Sequence, residues 1–291
     1  MSICSLVISA VTVYYSPNYI PFIEQYAGVH VRTLLHQSRI FGVAVNPNRL
    51  AILLIPGIVM SGLILAHNMM GRKYDKKTLV ASVLSLVFGS FTLILTQSRT
   101  GLIALVCSIS ISVILLSYSE CINMSKIIII ISMSICVFGL LLLFGVLPDR
   151  YEVLLKMQDL STLAIRFEIW KELFGKYQST LSSVIIGYGP NTLYFNEFGG
   201  TDGEWATIGF KYGVLGMISI LLFYIGVTKH SIKNINSDTT INKLLGSVSI
   251  GLTTAAILYS ITDQFFLNQR IISLYILIWA VQIRVDAKLD M

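Results

Sequence analysis

The residues with chemistry to offer are arginines that break or border apolar runs. Thr96-Gln97-Ser98-Arg99-Thr100-Gly101 is a polar interruption between two apolar stretches, and both Ser98 and Thr100 are suited to cap the helix that follows. Free N–H groups at a helix start favour anions, and a guanidinium grips phosphate oxygens through paired, planar hydrogen bonds. An arginine snorkelling to a membrane surface would have the same neighbours without any ligand. A second polar segment runs Ser38-Arg39-Ile40-Phe41-Gly42 and then Asn46-Pro47-Asn48-Arg49, where Asn46 is a natural N-cap and Pro47 suits a first turn.

Further along, Ile165-Arg166-Phe167-Glu168-Ile169-Trp170 has apolar residues at helical spacing, which predicts a short surface helix with Trp170 at a membrane interface. Ile186-Gly187-Tyr188-Gly189-Pro190-Asn191 reads as a tight turn. Asp202-Gly203-Glu204-Trp205 places two carboxylates near these arginines, and either one could accept a proton as general base. His30 and His36 lack triad or metal spacing, and Cys4, Cys107, Cys121 and Cys136 form no CxxC pattern, so neither a zinc site nor a disulfide framework is expected.

The elements that position these groups must be membrane helices. The chain is 55% hydrophobic and only 12% charged, with a mean hydropathy of +0.76, whereas soluble domains carry roughly 25% charged residues. Apolar runs of near-spanning length start at about residues 2, 47, 78, 100, 126, 209, 244 and 270, where about 20 residues cross the bilayer. The expectation is an all-α polytopic membrane protein with about eight transmembrane helices, a single membrane domain over 1–291. The first run, Ser2 to Tyr15, is short and reads as the remnant of a longer span rather than a signal peptide.

Basic residues set the expected orientation. Arg72, Lys73, Lys76 and Lys77, then Lys126, then Lys229, Lys233 and Lys243, then Arg284 and Lys288 fall on one side, the cytoplasm, which also takes both termini. A long loop over about 148–208 then lies outside and carries the short helices. Arginine dominates the outer face, with Arg32, Arg39, Arg49, Arg99, Arg150, Arg166 and Arg270 there, and the positive-inside effect does not account for that excess. An anionic ligand outside would. The net charge of +6 is spread through short loops and marks no nucleic-acid face. Acidic groups are missing from mid-membrane, which disfavours an ion-coupled pump.

Read in order, Arg39 through Gly42 with Asn46-Pro47-Asn48, then Ser98-Arg99-Thr100-Gly101, Arg166 with Trp170, Gly187-Tyr188-Gly189-Pro190, and Asp202 followed by Tyr212-Gly213-Val214-Leu215-Gly216, resemble the superfamily of O-antigen ligases and Wzy-type O-antigen polymerases. The resemblance covers roughly 38–225. It implies more helices at the N-terminus than this chain has. It also implies glycan transfer from an undecaprenyl pyrophosphate carrier to a sugar hydroxyl, on the periplasmic face of the inner membrane. Ligases of the superfamily typically carry a histidine-asparagine pair about a dozen residues before the Gly-x-x-Gly, and Asp202 stands at that place here, which points to a polymerase.

On this resemblance Arg99 and Arg166 are the first candidates to stabilise the departing pyrophosphate, with Arg39 next. Asp202 or Glu204 would take the proton, and Arg49, Arg270, Tyr188 and Trp205 would contact the pyrophosphate or glycan. No cofactor or metal is required, and the expected partners are the lipid-linked oligosaccharide, the bilayer, a chain-length regulator and a flippase. Two alternatives share the arginines: a ligase joining the glycan to lipid A core, and a transporter or flippase that binds the lipid-linked glycan without making a bond.

Overall fold

The computed structural model describes residues 46–69, 76–119, 167–172, 175, 180–189 and 203–289. The helices are α1 Pro47–Met69, α2 Lys76–Thr96, α3 Arg99–Tyr118, α4 Leu181–Ile186, α5 Glu204–Ile235, α6 Thr240–Thr262 and α7 Gln269–Leu289, and residues 167–172 are also helical. The chain is an all-α polytopic membrane protein. Helices α1, α2, α3, α5 and α6 are long and apolar enough to cross a bilayer, while the apolar part of α7 is the shorter Ile271–Gln282. The spans expected near residues 2 and 126 lie outside the described residues.

Helices α1, α3 and α7 start at the end where α2 and α6 finish, so chemistry-bearing residues collect at two ends. At one, Thr262 of α6 donates to the hydroxyl of Thr100 in α3 at 3.0 Å, and a Cβ on Gly101 would overlap Ala51 of α1. At the other, the Lys243 Nζ of α6 donates to the carbonyl of Ser119, just past α3, at 3.3 Å. A cation on the carbonyl end of a helix complements its dipole. We refer to these as the arginine end and the lysine end.

Helix α6 is the central element, lying along α3 on one side and α5 on another. In hydrocarbon no hydrophobic force draws helices together, so small residues that allow close contact matter most. A Cβ on Gly251 would strike Ser112 and the Ser108 carbonyl of α3, and one on Gly246 would strike the Ser231 carbonyl of α5. Buried polar groups add a second restraint. Ser249 of α6 donates to Gln282 Oε1 of α7, and Gln282 Nε2 donates to Ser231 Oγ of α5 at 3.1 Å. Three helices are thereby joined through one amide.

Two breaks in the helices are repaired by distant groups. Pro56 inside α1 has no N–H for the carbonyl of Ile52 one turn earlier, and the buried Tyr275 hydroxyl of α7 donates to that oxygen at 3.2 Å. The larger break is in α5, where Gly213 has φ 63° and ψ −161°, a conformation open essentially to glycine alone. The chain reverses there. The rings of Trp205 and Tyr224 lie 6.3 Å apart, whereas an unbroken helix would separate these residues by about 28 Å. Residues 204–212 therefore fold back along 214–235, with Ile208 beside Gly216.

Hydropathy alone makes 204–235 one span, in which Gly209, Gly213 and Gly216 would ease the approach of a neighbouring helix. Gly216 does allow a close contact, with Ile208 and Tyr212, but Gly213 is a turn. The reversal strips carbonyls at the end of segment 204–212 of their next-turn partners. Tyr188 N donates to the Phe210 carbonyl at 3.0 Å and Gly189 N to that of Lys211 at 2.9 Å. Gly187, at φ 80°, makes this docking possible, because a side chain there would overlap the backbone of Lys211.

Substituting Gly213→Ala should cost about 1–3 kcal/mol in backbone strain alone, with further loss from overlap with the Ile185 carbonyl. Gly226 has open space around its Cα, so Gly226→Ala serves as the control. Thermal unfolding in detergent should show a clear drop for the first and none for the second; equal melting temperatures would refute the one-residue reversal.

Candidate functional site

The arginine end is assembled around the last turn of α6. Five consecutive residues there point at different neighbours, as a helix advancing about 100° per residue must. The Tyr259 hydroxyl, fully buried, lies beside the Asp263 carboxylate and within electrostatic range of Arg49, outside good hydrogen-bond geometry with either. Ser260 Oγ donates to Glu204 Oε2 at 2.7 Å. The Ile261 carbonyl abuts Gly203, Thr262 meets Thr100, and Asp263 ends the helix with its N–H bonded to the Tyr259 carbonyl.

Arg49 and Arg99 stand at matched heights. Each is two residues before its helix's member of the Ala51–Gly101 contact, so both guanidinium groups belong to first turns of touching helices. The turn before Arg99 is tightly specified. Gln97 takes φ 52°, Thr96 Oγ1 accepts from Ser98 N, and the buried Ser98 Oγ accepts from Gly101 N at 3.1 Å. Ser98 is thus the cap, while Thr100 is turned to α6. Asn46 Oδ1 likewise accepts from Asn48 N at 2.8 Å at the start of α1. Arg270 occupies the second position of α7.

Glu204 is 1% exposed. Besides Ser260, its carboxylate accepts from Leu267 N at 2.9 Å. A carboxylate in the first turn of a helix also complements that helix's dipole. Both oxygens are committed to fastening the start of α5 to the α6–α7 connection. Trp205, next in sequence, is half-buried against Tyr224.

The loop pieces converge on the same place. Trp170 stacks edge-on against Phe167 at 5.2 Å and packs on Gly203, where a side chain would collide with the indole. Tyr188 stacks on Phe210, with ring centroids 5.3 Å apart. The structure therefore gathers Arg49, Arg99, Glu204 and Trp205 around the end of α6 and holds Tyr188 at the top of the reversal. Arg39, Arg166 and Asp202 lie outside the described residues, as does the side chain of Arg270. Among the described residues, no His, Cys, Asp and Glu cluster could hold a metal ion.

The sequence reading passed over Tyr259, Ser260, Thr262 and Asp263. One signal was available: Tyr259 and Asp263 are four residues apart, so they share a face where the span runs out.

Removing the Glu204 carboxylate should orphan the Leu267 N–H and the Ser260 hydroxyl, at about 1–3 kcal/mol for the buried donor. Glu204→Ala should lower the melting temperature in detergent and reduce folded yield, whereas Ser260→Ala, which leaves Leu267 N bonded, should cost less. A wild-type melting temperature for Glu204→Ala would show that this carboxylate does not fasten the helix.

No curated protein matches this chain. Residues 84–221 match the family model described as O-antigen ligase. The matched stretch starts within α2 and takes in the Ser98-capped turn, Trp170, the Gly187-Tyr188-Gly189 turn, Glu204 and the Gly213 reversal. The match takes in most of the segments that carried the resemblance in the sequence, those before residue 84 excepted, and supports a likeness to the O-antigen ligase and polymerase superfamily.

Proposed function

We propose that the protein is a polysaccharide polymerase of the inner membrane, transferring a glycan from undecaprenyl pyrophosphate to a sugar hydroxyl of another lipid-linked repeat unit. The family match over residues 84–221 supports glycan assembly of the ligase or polymerase type. The observation that carries the chemistry is that Arg49 and Arg99 stand in the first turns of touching helices, with Arg270 in the first turn of a third helix.

Cleavage of the sugar–pyrophosphate bond builds negative charge on the departing oxygen, and fixed guanidinium groups at helix starts lower the cost of that charge. Arg99 and Arg166 are assigned to this task, supported by Arg39, Arg49 and Arg270. With Glu204 tied to Ser260 and Leu267, the proton of the attacking hydroxyl falls to Asp202, two residues earlier. Trp205 and Tyr188 offer ring faces to the glycan. The arginine end faces the periplasm in this reading, both termini are cytoplasmic, and a flippase and a chain-length regulator are the natural partners.

The family description equally supports a ligase. Asp202 favours the polymerase, because it stands where ligases carry histidine, counted from Gly213. Deleting the gene should leave single repeat units on the cell surface and abolish the long-chain ladder on a lipopolysaccharide gel. Loss of every attached unit would favour the ligase, and an intact ladder would refute both. Arg99→Ala and Arg166→Ala, present at normal level in the membrane, should each slow chain extension by about 100- to 1000-fold, the usual effect of removing one stabilising donor. Normal ladders from both would reduce these arginines to interfacial anchors.

A further inference from the structure

Helix α4 has no buried residue, and its apolar side chains stand open. Leu181 is 77% exposed and Ile186 64%, with Val184 and Ile185 also on the surface. No Asp, Glu, Lys or Arg occurs between Lys176 and Glu197, so no charge anchors this stretch in water. Its hydroxyls turn back on the helix itself. Ser183 Oγ donates to the Thr180 carbonyl at 2.7 Å, Thr180 Oγ1 accepts from Ser183 N at 3.4 Å, and Ser182 Oγ donates to Thr180 Oγ1 at 3.4 Å. Polar groups satisfied within one short segment suit surroundings that offer no hydrogen bonds.

The reversal in α5 fixes where α4 sits. The Ile185 carbonyl lies against Gly213, while Tyr188 N and Gly189 N bond the carbonyls of Phe210 and Lys211. Helix α4 therefore rides at the apex of the two arms. From that apex the long arm exposes Val214, Leu215, Ile218, Leu221, Leu222 and Ile225, and then Lys229 and Lys233. At 100° per residue all of these fall on one face. Lysines that close an apolar stripe mark a hydrocarbon boundary. Lys233 follows Gly213 by 20 residues, which at helical rise is about 30 Å, the thickness of the hydrocarbon layer. The arm is thus long enough to bring Gly213 to the opposite boundary, and α4 with it.

We infer that α4 is seated in the membrane, its apolar side chains lying among acyl chains at the headgroup-side edge of the leaflet on the arginine-end side. Lipid covers this face, rather than water or another protein segment. The leaflet then holds the apex of α5 from outside, while Tyr188 and Gly189 hold it from within.

The test uses the full-length protein in lipid nanodiscs, with tryptophan introduced at one exposed position at a time: Leu181→Trp, Ile186→Trp, Leu222→Trp or Asp238→Trp. The emission added to that of the wild type is measured in lipid brominated near the glycerol end of its chains, in lipid brominated near the chain ends, and with aqueous iodide. Leu222→Trp, on the spanning arm, sets the lipid standard, and Asp238→Trp, in the α5–α6 connection, sets the water standard. Leu181→Trp and Ile186→Trp should each lose at least half of the added emission to lipid brominated near the glycerol end and less to lipid brominated near the chain ends. Both should resist iodide better than Asp238→Trp, at wild-type melting temperature. Quenching by iodide as strong as at Asp238→Trp would overturn the inference. So would indifference to every quencher, which would mean that protein covers α4, or stronger quenching from the chain ends, which would displace it from the boundary.

Discussion

A buried carbonyl released from its helix must find another donor, and leaving it bare costs about 1–3 kcal/mol. Among the described residues, two such releases shape the fold. Pro56 frees the oxygen of Ile52, and the reversal at Gly213 frees those of Phe210 and Lys211. The groups that answer them are fixed by geometry: a tyrosine hydroxyl from α7 and two consecutive amides from the Gly187-Tyr188-Gly189 turn. The loop between spans is therefore part of the folded core of α5. Its glycines are there because backbone meets backbone, with no room for a Cβ on either side.

The end of α6 shows how a short stretch can organise a site that it does not dominate in sequence. Tyr259 through Asp263 reach α1, α3 and the start of α5, where Gly203 also receives Trp170. Glu204 adds the connection to α7 through Leu267 N. Four helices are thus referenced to one turn, itself held in the bundle by the close contacts at Gly246 and Gly251. Polar bonds deep in the bundle, such as Gln282 with Ser231 and Ser249, fix the helices against sliding where apolar packing alone would allow it.

What was legible in the sequence was local. Apolar runs gave the described spans, because membrane thickness imposes a length that hydropathy reads directly. Asn46 and Ser98 were identifiable as caps, since a cap bonds an amide only two or three residues away. The reversal was not legible: residues 204–235 are apolar on both sides of Gly213, and hydropathy carries no sign of direction. Glu204 stood out as a carboxylate, but its partners lie 56 and 63 residues further on, so its fastening role is visible only in three dimensions. Asp263 was missed because it follows a span in an unremarkable connection, and its place at the end of α6 is set by its N–H bond to the Tyr259 carbonyl.

The single-residue turn in α5 has a mechanical consequence. A chain that reverses through a loop can share an adjustment among many torsions, but here φ and ψ of Gly213 alone set the angle between the two arms. The upper corner is pinned by Tyr188 and Gly189, and the far tip by Ser260 and Leu267. Segment 204–212 is consequently a strut without slack, and any tilt of the crossing arm must either be resisted by those clamps or carried straight to the depth at which Glu204 sits.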